Sequence, residues 1–127
     1  MDHTRNRLLV ADDALIMRAI IKDIATRAGW EVVGEAATGA ECVTRYRELR
    51  PDLVTLDIVM PVMDGVEALR TLRQEDPAAR IVMVSAVDQK AKLMECIQLG
   101  AIDFVAKPFD RERLKSLLQK YLAAANA

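Results

Sequence analysis

A short apolar run that ends in a single carboxylate constrains this chain more than any other stretch. Residues 53–56 (LVTL) are apolar or prone to strand formation, Asp57 follows them directly, and Met60-Pro61 marks a turn. An uninterrupted apolar run of this kind is typical of a buried strand in a parallel sheet. Ligands of open α/β sheets bind just beyond the carboxyl ends of the strands. Asp57 is therefore a candidate reactive residue, although an isolated aspartate at this point could also cap a turn or the next helix.

Apolar runs of this type recur along the chain and alternate with segments of helical periodicity. The predicted strands cover residues 7–11, 31–36, 53–57, 80–85 and 101–106. After the first strand, apolar side chains recur at the spacing of one helix face, at Met17, Ile20, Ile21, Ile24 and Ala28. Five strand-helix alternations imply a parallel sheet with right-handed crossovers and helices on both faces. The predicted fold is a doubly wound α/β domain.

Two of the predicted helices have distinctive signals in the sequence. Thr38-Gly39-Ala40-Glu41 has the form of a capping box, in which each of the two outer side chains covers the other's backbone N–H. Residues 89–99 should form the fourth helix, with Leu93, Met94 and Ile97 as its apolar positions. This apolar stripe is narrow, so we expect the fourth helix to be mobile.

Composition restricts the classes of function. The 127 residues fit a single domain, with a core spanning residues 7–122. The 18 basic and 19 acidic side chains give a net charge of −1, which provides no general attraction to nucleic acid or to an anionic membrane. Cys42 and Cys96 have no CxxC spacing, and we find neither a signal peptide nor a long apolar segment. We expect a soluble cytoplasmic protein with reduced, buried thiols.

Polar residues follow four of the five predicted strands. The strands end at Asp12-Asp13, at Asp57, at Ser85 and at Lys107, and the carboxyl ends of parallel strands share one edge of the sheet. Three crowded carboxylates raise one another's pKa unless a cation lies among them, and oxygen ligands suit Mg²⁺. A lysine and a hydroxyl beside a metal can hold the oxygens of a phosphoryl group, and a carboxylate can serve as its acceptor. Each residue alone could be a cap or a solvated strand end, but their joint placement argues against coincidence.

These motifs resemble a response-regulator receiver domain of the CheY type, from Arg7 to Leu122. The matching segments are the acidic pair Asp12-Asp13, the loop Leu56–Gly65, the pair Ser85-Ala86 and the segment Phe104–Phe109. The resemblance implies a flavodoxin-like, five-stranded sheet in the order 2-1-3-4-5. Together these segments include the polar residues at all four of the strand ends described above.

The resemblance also implies a role for each acidic residue. Asp57 would accept a phosphoryl group from the phosphohistidine of a sensor histidine kinase. Asp13, Asp57 and the backbone carbonyl of Val59 would bind Mg²⁺ directly, whereas Asp12 would act mainly through water. The metal set is therefore expected to comprise Asp12, Asp13, Asp57 and Val59.

Further roles implied by the resemblance concern the fourth and fifth strands. Lys107 would pair with the phosphoryl group, the Lys107-Pro108 bond would be cis, and Ser85 would move to hydrogen-bond the phosphoryl oxygens. Phe104 matches the switch aromatic that turns inward when the hydroxyl moves, although an ordinary core phenylalanine would fit the same position.

This sequence departs from the family at two points. The switch hydroxyl belongs to Ser85 rather than to the commoner threonine, which should loosen the coupling because serine lacks a β-branch. Val59 and Val87 are apolar where many relatives have polar side chains that can orient a water molecule. We therefore expect slow self-dephosphorylation.

The segment from Asp13 to Arg18, with Lys22, is similar to chemotaxis receivers that act alone on the flagellar motor switch. Because the sequence stops after its fifth helix, we expect a monomer that signals by protein contact around Phe104. The expected partners are a chemotaxis histidine kinase and a motor-switch or other output protein. A phosphorelay intermediate and the excised receiver of a DNA-binding regulator remain alternatives within the same fold.

Two other classes of protein fit less well. A haloacid-dehalogenase-type phosphatase also uses an aspartate at a strand end with Mg²⁺, but it requires a second acid at the position of Val59. A flavodoxin-like flavin carrier needs a hydroxyl-rich phosphate loop where this chain has Asp12-Asp13. We therefore expect a phosphoacceptor rather than an enzyme that turns over a separate substrate.

Overall fold

The computed structural model describes residues 6–86 and 88–123. Within these ranges the strands are β1 (Arg7–Ala11), β2 (Glu31–Ala36), β3 (Leu53–Asp57), β4 (Ile81–Ala86) and β5 (Asp103–Lys107). The helices are α1 (Leu15–Ala28), α2 (Gly39–Leu49), α3 (Gly65–Glu75), α4 (Lys90–Gln98) and α5 (Arg111–Lys120). The predicted alternation is confirmed, although β5 begins two residues later than expected and includes Lys107.

The strands form one parallel sheet in the order β2-β1-β3-β4-β5. This order confirms the doubly wound, flavodoxin-like topology. All residues of the central strand β3 are buried, as its apolar sequence predicts. Because all strands point the same way, the residues that follow them collect at one edge of the sheet.

Each face of the sheet carries its own apolar core. One face packs against α2, α3 and α4 through residues that include Leu9, Leu56, Met83, Tyr46, Leu69 and Cys96. The other face packs against α1 and α5 through residues that include Leu8, Val10, Val82, Ile24, Leu114 and Leu118. Burial on both faces explains why the strands are continuous apolar runs rather than alternating ones.

The helix ends confirm most of the sequence signals and correct one. Gly29 follows α1 with a φ of 112°, in the left-handed region that glycine adopts readily. The Thr38 hydroxyl accepts a hydrogen bond from the Glu41 N–H at 3.0 Å, as predicted. The Glu41 carboxylate, however, accepts from the Ala37 N–H at 2.6 Å instead of from Thr38. Its return contact therefore stabilises the turn that precedes α2.

The apolar face predicted for the fourth helix is wrong. Cys96 is the buried residue of α4, whereas Met94 and Ile97 are 56% and 42% exposed. Leu93 packs only partly against the core. The apolar stripe seen in the sequence therefore marks a surface rather than an inner face, and the mobility of α4 stays a prediction.

The two cysteines are free and buried, as expected. Burial raises the pKa of the Cys42 thiol to about 12 and that of the Cys96 thiol to about 11. Thiols with such pKa values are poor nucleophiles. Among the described residues, no helix is long and apolar enough to cross a membrane.

Candidate functional site

Three carboxylates meet at the carboxyl edge of the sheet. Asp12, Asp13 and Asp57 each have a carboxylate oxygen, and these oxygens all lie within 4.8 Å of one another. Asp12 and Asp57 are buried, whereas Asp13 is exposed. Together with Lys107 they form what we call the acidic cleft.

Strand register explains why residues so far apart in sequence meet here. The last residue of β1, Ala11, pairs with Leu56, so that Asp12 follows beside Asp57. On the other side of β3, Asp57 pairs with Val84 of β4. In the same way Ala86 pairs with Lys107 of β5. The acidic cleft is thus the direct continuation of four neighbouring strands.

Lys107 provides the cation that the structure places among these carboxylates. Its ammonium nitrogen lies 2.8 Å from Asp12 Oδ2 and 3.4 Å from Asp57 Oδ2. Burial alone would lower the pKa of Lys107, but the hydrogen bond to Asp12 and the charge of Asp57 outweigh it and raise the pKa. Lys107 therefore stays protonated and can bind an anionic group at this edge.

Asp12 is held on all sides by the protein. Its Oδ2 accepts from Lys107, and its Oδ1 accepts from the Ala14 N–H at 2.9 Å. Its backbone N–H donates to the Ala36 carbonyl at 2.9 Å. A carboxylate engaged through both oxygens has little freedom to move toward a metal, and the water-mediated role expected for Asp12 stays a prediction.

Asp57 lies in an environment that disfavours its ionised form. Burial raises its pKa to about 6, and the neighbouring Asp12 charge raises it as well, whereas Lys107 and the Val59 N–H act in the opposite direction. A divalent cation would offset the burial and the repulsion together. The carboxylates are hard oxygen donors of the kind that such a cation prefers. The acidic cleft could therefore hold a metal ion.

The loop between β3 and α3 passes close to the acidic cleft, and the sequence patterns did not reveal its constraints. Gly65 lies so near the backbone that an added Cβ would be 2.0 Å from the Asp57 carbonyl oxygen. Val62 has a φ of 68° and is 86% exposed. A β-branched residue in the left-handed region is strained, and such strain is concentrated at functional sites. The Asp64-Gly65 pair predicts a helix start, and a glycine directly after a helix cap is also a usable signal of close approach.

A second feature, the apolar groove, opens beside the acidic cleft between α4 and β5. It encloses about 370 Å³ and is lined by Ser85, Ala86, Lys90, Leu93, Met94, Ile97, Phe104 and Ala106. Phe104 is 44% exposed at this groove, so the alternative that it is an ordinary core residue is wrong. Ser85 is 2% exposed and pairs with Ala106 of β5. The predicted switch residues Ser85 and Phe104 therefore line one surface.

Three further predictions concern the Lys107-Pro108 bond, Val59 and Val87. The Lys107-Pro108 peptide bond is cis, as expected. The Val59 side chain is 51% exposed at the loop after Asp57, whereas Val87 lies outside the described residues. The functional roles assigned to these residues from the sequence remain predictions at this point.

Comparison with known proteins gives a consistent result. The sequence model of the response regulator receiver domain matches residues 8–119. The chain is 48% identical to the chemotaxis protein CheY of Thermotoga maritima over 90% of this chain and 95% of that protein. It is 49% identical to CheY of Bacillus subtilis over 92% and 98% of the two chains.

A solved structure shows the same likeness in three dimensions. The crystal structure of the CheX-CheY-BeF3-Mg²⁺ complex from Borrelia burgdorferi contains a chain with a TM-score of 0.84 and 32% identity. The alignment covers 92% of this chain and 90% of that one. Fold, topology and sequence therefore agree on one family.

Proposed function

This chain belongs to the response-regulator receiver family, and we propose that Asp57 accepts a phosphoryl group from the phosphohistidine of a histidine kinase. The observation that carries this proposal is the convergence of Asp12, Asp13, Asp57 and Lys107 at one edge of the sheet. The modified protein would then signal through altered protein binding. In this reading the chain is a stand-alone CheY-type regulator rather than an enzyme with a separate substrate.

The transfer itself is a displacement at phosphorus. A carboxylate oxygen of Asp57 forms a bond to phosphorus, the bond between phosphorus and the imidazole nitrogen breaks, and the electron pair stays on that nitrogen. No oxidation or reduction occurs. The Lys107 ammonium, 3.4 Å from Asp57 Oδ2, is placed to neutralise charge on the phosphoryl oxygens.

The acidic cleft supports Mg²⁺ as the cofactor. Asp13 and Asp57 supply carboxylate oxygens, the Val59 carbonyl would add a third ligand from the loop, and Asp12 would contribute through water. When bound, Mg²⁺ supplies electrostatic stabilisation of the phosphoryl oxygens. Burial raises the pKa of the metal-free Asp57 carboxyl to about 6, and a bound cation would favour the ionised form that attacks phosphorus.

The apolar groove supports the proposed output. Ser85 lies between Asp57 and this groove along the strand register, because Asp57 pairs with Val84 and Ser85 pairs with Ala106. Movement of the Ser85 hydroxyl toward a phosphoryl group would open space for the exposed Phe104 ring. Phosphorylation would then favour a conformer that a protein partner binds better.

The relatives suggest which pathway the chain serves. Two proteins named chemotaxis protein CheY are about half identical to it over nearly their whole length. We therefore propose a cytoplasmic chemotaxis regulator, phosphorylated by a chemotaxis kinase and recognised by a flagellar motor-switch protein. These partner assignments rest on similarity together with the groove, and each is open to a direct binding test.

The central experiment is phosphorylation with a small-molecule donor. Purified protein incubated with acetyl phosphate and Mg²⁺ should gain one phosphoryl group by intact mass, and hydroxylamine should remove it because an acyl phosphate is labile to this nucleophile. The Asp57→Asn variant should gain none. A matched control is Asp52→Asn, which changes an aspartate next to the opposite end of β3 and should be phosphorylated normally. Equal phosphorylation of the Asp57→Asn protein would refute the proposal.

A further inference from the structure

Arg18 of α1 contacts the backbone of Asp12, a residue of the acidic cleft. Its Nη1 donates to the backbone carbonyl of Asp12 at 2.8 Å, and its Nε donates to Glu35 Oε1 of β2 at 2.9 Å. The Arg18 side chain is only 15% exposed. One guanidinium therefore joins the end of β1, the start of α1 and the neighbouring edge strand.

We propose that Arg18 is a positioning residue that fixes the Asp12-Asp13 bend for metal binding, with Glu35 as the residue that orients it. This inference rests on the proposed function, since it assumes that the acidic cleft binds Mg²⁺. The Asp12 side chain and backbone N–H are already held by Lys107, Ala14 and Ala36. The Asp12 carbonyl leads directly into Asp13, the exposed carboxylate, so the contact made by Arg18 controls where Asp13 points.

Loss of the Arg18 charge and loss of its contact with Asp12 should change the affinity for Mg²⁺ in opposite directions. A guanidinium next to the acidic cleft repels a divalent cation, so removing it should strengthen Mg²⁺ binding if only Coulomb forces mattered. If Arg18 instead acts through the bend, removing it should weaken binding, because misplaced outer-shell groups typically lower metal affinity by about 10- to 100-fold. The sign of the change therefore separates the two explanations.

Lys22 provides a matched control within the same cluster. Its ammonium nitrogen lies 2.6 Å from Glu35 Oε2, so it shares the partner of Arg18 and carries the same charge. It binds the other oxygen of that carboxylate. Its side chain is also more exposed than that of Arg18, at 41%. Removing Lys22 therefore removes a nearby positive charge while leaving the contact with the Asp12 carbonyl in place.

The test is the Mg²⁺ dissociation constant of the folded, unphosphorylated protein, measured by isothermal titration calorimetry. Arg18→Met should raise this constant by about tenfold, whereas Lys22→Met should leave it within about twofold of the wild type. Arg18→Lys should shift it in the same direction as Arg18→Met but less, because lysine keeps the charge but lacks the planar guanidinium that bridges the Asp12 carbonyl and Glu35. This third variant serves if Arg18→Met does not fold.

Chemical denaturation of each variant shows whether a lost affinity merely follows lost stability. Unchanged or tighter Mg²⁺ binding by Arg18→Met and Arg18→Lys, with normal binding by the wild type, would overturn the role of Arg18 and leave the proposed function intact. Equal weakening in Arg18→Met and Lys22→Met would overturn it as well. Absence of Mg²⁺ binding by the wild-type protein would instead count against the metal site itself.

Discussion

The acidic cleft and the apolar groove both include residues of β5 but are built in opposite ways. In the cleft, buried charges are held by short contacts, such as the 2.8 Å bond between Lys107 and Asp12. In the groove, the walls are apolar and the largest side chains, Met94 and Phe104, are 56% and 44% exposed. The acidic cleft therefore holds its charged groups in place without a ligand, whereas the apolar groove leaves apolar side chains exposed to solvent.

The helices beside the two regions show the same contrast. The helix α3, which follows the cleft loop, buries Gly65, Val66, Ala68, Leu69 and Leu72. The helix α4, which lines the groove, buries Cys96. A helix with little buried apolar surface is held weakly and can shift at low cost. This difference fits the proposed function, in which the phosphoryl site needs a rigid frame and transmission of the signal needs a movable one.

If the acidic cleft is a tightly coupled charge network, removing the Lys107 charge should have the largest effect on the free energy of unfolding. We expect Lys107→Met to lower the free energy of unfolding of the metal-free protein by about 3 kcal/mol, because the buried Asp12 carboxylate loses its partner. Urea denaturation in EDTA measures this change. The control is Lys120→Met, whose side chain is 65% exposed in its ion pair with Asp103, and whose loss should cost much less. Similar costs for both variants would mean that the cleft is no more coupled than the surface.

The next largest effect should be the pH dependence that Asp57 confers. Its pKa is about 6 in the folded protein, against an ordinary value of 3.8 for an aspartate in water, so between these values the folded state binds more protons than the unfolded state. The free energy of unfolding should therefore fall as the pH rises toward 6 in metal-free protein. Asp57→Asn should remove this dependence and make the metal-free protein more stable than the wild type at pH 7.

Denaturation curves between pH 4 and pH 7 in EDTA compare the wild type with Asp57→Asn. Saturating Mg²⁺ should return stability to the wild type at pH 7 and should have less effect on the variant. A stability difference between the wild type and Asp57→Asn that stays constant across this range would contradict the burial of an ionised Asp57.

For the groove, we expect a large effect on binding with no effect on phosphorylation. Phe104→Ala should weaken phosphorylation-dependent binding of the output partner by about tenfold or more, because an exposed aromatic ring is a typical anchor of an interface. Its rate of phosphorylation by acetyl phosphate should match the wild type. The control is Ile16→Ala, on α1 outside the groove, whose side chain is 71% exposed. Partner capture with the Mg²⁺-loaded, beryllofluoride-treated protein measures binding, and equal capture by Phe104→Ala would exclude the groove as the readout surface.

The smallest predicted effect concerns the exposed rim of the cleft. Val59→Asn should shorten the lifetime of the phosphorylated protein several-fold, because an amide beside Asp57 can orient an attacking water whereas the 51% exposed valine cannot. Decay of the acyl phosphate after removal of the donor provides the rate. Ile16→Asn is the control, since it places the same amide at a 71% exposed position on α1. Unchanged decay in Val59→Asn would show that this side chain does not set the lifetime.

Much of the fold and of the cleft could be predicted because both depend on local patterns. Apolar runs that end at Ala11, Asp57 and Ser85 identify buried parallel strands, and parallel strands bring their ends together. The cluster of Asp12, Asp13 and Asp57 follows from this rule, and the resemblance to receiver domains added the strand order that periodicity does not contain.

The remaining features depend on contacts between distant elements, and no local pattern encodes them. The stripe of Leu93, Met94 and Ile97 looks the same in sequence whether it faces a core or solvent, because periodicity records which side chains share a face and not what covers that face. The sequence by itself therefore determined that an aspartate, Asp57, ends a buried central strand. Tertiary packing decided that Cys96 is the buried residue of α4 and that Arg18 reaches the Asp12 carbonyl, since both depend on how helices are set against the sheet.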